Sequence, residues 1–219
     1  MTDRRPIVQV RKLADADAFR AHLDGVGLDL CFDAELVNGT DAPLARPFDV
    51  GLADGVTRTV GNRFAVLPME GWDATSDGRP TDLVRRRWER FGTSGAELVW
   101  GGEAVAVRAD GRANPNQLCM GADAVDDLSG LRSRLVAAHV ERFGCTDDLL
   151  VGLQLTHSGR WSRPSGNPVP RVGYRHPLLD HRVPITDASV LSDDELDELS
   201  DRFVEASAMA ADADRKSGV

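Results

Sequence analysis

Along the chain, apolar positions fall into short solid runs separated by longer stretches striped at helical spacing. Phe64-Ala-Val-Leu67 is an apolar run stopped by Pro68, Leu98-Val-Trp100 is one closed by Gly101-Gly102, and Leu149–Leu155 is a third. Between and after them lie three stripes. Leu83/Val84, Trp88 and Phe91 follow a Pro80-Thr81 start, and Leu128, Leu131, Leu135, Ala138 and Phe143 end at Gly144. Leu196, Leu199, Phe203, Ala206 and Ala210 follow Ser192-Asp-Asp-Glu195, a capping box. Strands apolar on both faces suit a parallel sheet covered by helices. The order therefore predicts an α/β fold of about three βα units.

Ahead of these units, residues 1–46 read as an N-terminal arm with one short helix, marked by Phe19 and Leu23 and ending near Gly25. Phe48–Val60 then has partly alternating character around Asp54-Gly55, a dipeptide that favours the positive φ of tight hairpin turns. The expected organisation is an arm (1–46), an α/β domain (47–213) and a polar tail (214–219). Three parallel strands alone leave open edges, whereas a closed parallel barrel needs eight units. The reading is a small open sheet or part of something larger.

Composition narrows the function. With 26 basic and 35 acidic residues the net charge is −9. The only basic cluster is Arg85, Arg86, Arg87 and Arg90, so a duplex-binding or polybasic membrane role is unsupported. Hydrophobic residues make up 42% of the chain, with no apolar run near the ~18 residues of a membrane span. The first residues lead into no apolar segment, and Cys31, Cys119 and Cys145 form no C-x-x-C; the expectation is a cytoplasmic protein without a metal site. Asn38-Gly-Thr40 matches the glycosylation sequon only by chance on that expectation.

Fingerprints for dinucleotide, P-loop, hydrolase and zincin chemistry are absent, and the five histidines show no metal-ligand spacing. Three segments remain, each at the carboxyl end of an expected strand: Pro68-Met-Glu-Gly-Trp72, Gly101-Gly-Glu-Ala104 and Gln154-Leu-Thr-His-Ser-Gly-Arg160. Ligands of α/β folds bind at those ends. A glutamine there offers donor and acceptor on one side chain, the complement of a flavin pyrimidine edge. Each residue also has an ordinary reading: Pro68-Met69 as a strand end, Ala104 as packing, Gln154 as a satisfied polar group, Trp72 and Trp161 as surface anchors. Tyr174-Arg-His-Pro177 reads as a structural loop.

Asn62-Arg-Phe-Ala-Val-Leu-Pro-Met69, Glu103-Ala104 and Gln154–Arg160, taken in that order and spacing, resemble the N-terminal half of the Old Yellow Enzyme family over residues 43–212. These are FMN-dependent NADH:flavin oxidoreductases on a (β/α)8 barrel. The resemblance implies FMN as cofactor, NADH or NADPH as electron donor, and a small activated alkene as acceptor. It places the backbone of Pro68 and Met69 along the flavin ring and residue 70 at the N5/O4 edge. Ala104 offers its backbone to the ring, Gln154 bonds the pyrimidine edge, and Trp72 faces substrate. Glu70 departs from the family, which has a small polar residue such as Thr or Cys there; a carboxylate beside N5 disfavours an anionic reduced flavin. The family's H-x-x-[HN] pair and nearby proton-donating tyrosine have no match, Tyr174 being the only tyrosine. The expectation is an incomplete enzyme that needs a C-terminal half or an oligomer partner. The alternatives are a non-catalytic remnant and an interaction module using the open sheet edge.

Overall fold

The computed structural model describes residues 8–52 and 55–216, and the chain divides into two compact units, Met1–Pro43 and Leu44–Val219. In the first, α1 (Ala16–Val26) is capped by Asp15, whose carboxylate accepts from the Ala18 N–H, and ends on left-handed Gly27. It therefore passes through Gly25, the expected stop, because Gly27 supplies the positive φ that closes the last turn. Phe19 packs edge-on against Phe32, and Leu23 is buried.

The second unit opens with the expected hairpin: β1 (Phe48–Gly51) pairs antiparallel with β2 (Thr57–Val60). Its loop is longer than a two-residue turn. Gly55 has the positive φ anticipated for it, and Asp54 lies outside the described residues.

A parallel sheet follows, in the order β3 (Ala65–Val66), β4 (Leu98–Val99), β6 (Leu150–Val151), with Ala65, Leu98 and Leu150 in register. Two expectations need correction here. Ala104 does not sit in a loop but in a strand, β5 (Ala104–Ala106), and Leu149–Leu155 is not continuous but divides into β6 and β7 (Gln154–Thr156). The cause is glycine. Gly101, at φ +62°, bends the chain out of β4, Gly152 lies between β6 and β7, and pairing resumes between β5 and β7.

Three helices cover one side. The hydroxyl of Thr81 caps α2 (Asp82–Gly92) by accepting from Val84; Gly144, left-handed, terminates α3 (Ala124–Phe143). The predicted capping box opens α4 (Asp193–Lys216), with Ser192 N–H donating to Glu195 Oε2 at 2.9 Å. The stretch expected as a polar tail from 214 is thus helical through Lys216, and 217–219 lie outside the described residues. Val84, Trp88, Leu131 and Leu135 form the core with Val99, and Val66 and Val151 pack against it. Leu83, placed on the stripe by sequence, is exposed. Among the described residues no helix is long and apolar enough to cross a membrane.

Candidate functional site

The three sequence segments meet just past the carboxyl ends of β3, β4 and β6, where β5 and β7 begin. Ala104 donates its N–H to the Met69 carbonyl at 3.2 Å, and Ala104 stands opposite Gln154 in the β5–β7 pairing. Gly101 lies between Pro68 and Gln154: a Cβ there would come within 2.8 Å of the Gln154 nitrogen and 3.2 Å of Pro68 Cβ. Pro68, Met69, Ala104 and Gln154 are therefore one cluster, held together by a glycine that no other residue replaces.

Within it, Met69 is 54% exposed and the Gln154 side chain is exposed, with no hydrogen bond to any described residue. Ala104 is buried, and both its backbone groups are engaged: Gln117 Nε2 donates to its carbonyl at 2.9 Å. It forms the wall behind the site, where its N–H has no free direction. Glu70 accepts from the Trp72 indole N–H at 3.1 Å, so its carboxylate turns toward Trp72. Trp72 itself has φ +54°, a left-handed conformation rare for a bulky residue and of the kind held only when its surroundings enforce it.

The enforcing element is a buried ion network that sequence reasoning did not anticipate. Glu103, 1% exposed, accepts from the Gly71 N–H at 2.9 Å through one oxygen and pairs with Arg87 of α2 through the other; Arg87 also pairs with Asp73. Burial pushes the Glu103 carboxyl above the usual range, against the pull of Arg87 and the Gly71 N–H. Arg87 was grouped with a basic surface cluster, yet it lies at i+3 from Val84 and beside Trp88, on the inward stripe; that spacing was the available signal. Gln117, fully buried in a polar loop, carried none.

His157 is spent on structure. Its Nδ1 accepts from the Gly159 N–H, its ring lies against Gly111, and burial lowers its pKa. Arg160 pairs with Asp180, and Arg175 with Asp180 and Asp187, so the Tyr174–Pro177 segment is a cross-linked loop, as expected.

The residues present fit the ring of a flavin by the chemistry of the donor set: an unpaired carboxamide on an exposed rim, with apolar Met69 and a side-chain-free Gly101 beside it. No family model matches the sequence, and no curated protein does. Solved structures match by fold. An old yellow enzyme homologue from Zymomonas mobilis is similar at 22% identity and TM-score 0.54, over 78% of this chain and 45% of that one. Morphinone reductase matches at 19% and 0.53 over 80% and 45%, and the old yellow enzyme from Trypanosoma cruzi at 21% and 0.51 over 80% and 48%. The chain thus has an α/β fold shared with Old Yellow Enzymes, and it spans less than half the length of these relatives.

Proposed function

We propose that this chain is the flavin-ring side of an FMN-dependent NAD(P)H oxidoreductase of the ene-reductase type, its βα units being the first three of a (β/α)8 barrel. The observation that carries the reading is the convergence of Met69, from the segment after β3, and Gln154, at the start of β7, over the buried Ala104, with the Gln154 carboxamide unengaged. Bound FMN would supply hydride transfer from NADH or NADPH to an activated alkene. The chain's own residues hold and orient the ring. Gln154 pairs with the pyrimidine edge through donor and acceptor, Pro68 and Met69 line the ring, Ala104 backs it, and Trp72 faces substrate. Glu70, at the position the resemblance puts at the N5/O4 edge, has its carboxylate held by the Trp72 indole N–H.

The groups that hold the phosphate and deliver the proton belong, on this reading, to the more than half of the relatives' length that this chain does not span. Without the phosphate cradle, three charge-assisted hydrogen bonds of at least ~1.5 kcal/mol each are missing, about a thousandfold in affinity. The isolated 219-residue chain is expected to purify without stoichiometric FMN and to show no NAD(P)H-dependent reduction of cyclohexenone. Supplying the C-terminal part of a structural relative, fused or in trans, restores both, and Gln154→Leu in that complex weakens FMN binding about tenfold. Yellow protein with turnover from this chain alone contradicts incompleteness; a folded complex that takes no FMN contradicts the flavin reading. The exposed apolar residues Leu67 and Trp100 favour one second reading, an interaction module that docks a partner on the bare sheet.

A further inference from the structure

Beside the ring-facing rim lies a cleft lined by Glu70, Trp72, Thr156, Trp161 and Arg163, among others. Its walls come from the loop after β3, from Ala113 in the segment after β5, and from the end of β7 with the loop that follows it. Trp72 and Trp161 are 54% and 44% exposed, so each brings accessible apolar surface to the cleft. The backbone beneath them is fixed. Arg163 donates its N–H to the Arg112 carbonyl at 2.7 Å, while Arg112 Nη1 donates to the carbonyls of Ser76 and Pro115, both at 2.8 Å. Ser162, between Trp161 and Arg163, is fully buried.

The cleft carries one carboxylate, Glu70, and one guanidinium, Arg163, which do not pair with each other. Glu70 is already engaged by the Trp72 indole. The Arg163 guanidinium pairs with no carboxylate among the described residues, whereas Arg160 and Arg171 on the same segment pair with Asp180 and Glu195. A guanidinium offers a planar fork that matches a carboxylate, and indole faces take flat unsaturated surfaces.

We propose that this cleft binds a planar aromatic carboxylate, its carboxylate on Arg163 and its ring against Trp72 and Trp161. As a substrate class this rests on the flavin reading; as a binding site it does not, so the test uses no flavin. Calorimetric titration of the full chain compares three probes of one shape: trans-cinnamate, trans-cinnamamide and cinnamylamine. Cinnamate is expected to bind at least tenfold tighter than the amide and the amine most weakly, with the cinnamate advantage shrinking as salt rises. Arg163→Gln, at an exposed position, reduces cinnamate to the affinity of the amide and leaves the amide unchanged. Trp161→Leu weakens both by a similar factor. The proposal is overturned if the amide or amine binds as tightly as cinnamate, if Arg163→Gln changes nothing, or if none of the probes binds. These isotherms stand whatever FMN does, so a failure here and a failure of the flavin reading are told apart.

Discussion

The two faces of the same parallel sheet have different fates. Val66, Val99 and Val151 share one face in register, and it packs beneath the helices, with Val99 fully buried. Ala65, Leu98 and Leu150 share the other, followed by Leu67 and Trp100, which are 69% and 55% exposed. Both faces are written in apolar residues, as parallel strands buried on two sides are, yet the described chain covers only one. The carboxyl-end rim with Gln154 belongs to the uncovered part. The contrast teaches that apolar writing and burial are separate facts: the first face shows what stabilises this chain, and the second shows what it is shaped to meet. Under the proposal above, the second is the inner layer of a barrel.

The sharpest way to break the contrast is to cut equally large side chains from each face. Trp88→Ala, removing an indole 2% exposed in the helix-covered core, is expected to destabilise the chain by about 3–5 kcal/mol. Trp100→Ala, on the bare face, is expected to cost less than about 1 kcal/mol. Equal losses in urea titrations would show that the bare face is packed after all.

Next in size is the network that positions the rim. Glu103→Ala leaves Arg87 buried beside Asp73 alone and is expected to cost roughly 3 kcal/mol. It also frees the Gly71 N–H and with it the left-handed Trp72. Glu103→Gln, which can still accept from Gly71, is expected to cost less.

A smaller effect tests the covering helices themselves. Ser192→Ala removes the hydroxyl that accepts from the Glu195 N–H and is expected to cost about 1 kcal/mol.

Smallest is a pH effect. Burial lowers the His157 pKa from an ordinary 6.5, so the unfolded chain takes up a proton before the folded one. The stability it contributes is present above pH 6.5 and is lost as pH falls below it. Thermal melts should fall from pH 7.5 to 5.5 less steeply in His157→Gln than in the parent chain.

How far the sequence reaches follows the same division. The helix-covered side was legible because stripes and caps report on burial directly: Val84 with Trp88, Leu131 with Leu135, Thr81, Gly144 and the Ser192 box all fall where their chemistry places them. The stop at Gly101 was legible, but the resumption of pairing as β5 and the division of Leu149–Leu155 at Gly152 were not, since a glycine in an apolar run does not say whether pairing continues past it. The rim was partly legible. Pro68, Met69 and Gln154 converge, but the engaged Ala104 N–H and the Arg87–Glu103 pair depend on contacts between distant segments that local pattern does not encode.

The central claim, that this rim is the ring side of a flavin site, is tested most directly by determining where FMN lies in a complex of this chain with the C-terminal part of a structural relative. The account predicts the Gln154 carboxamide within hydrogen-bond distance of the pyrimidine edge, with Pro68 and Met69 along the ring. A flavin bound elsewhere, or Gln154 turned away from it into the helical layer, would contradict the account.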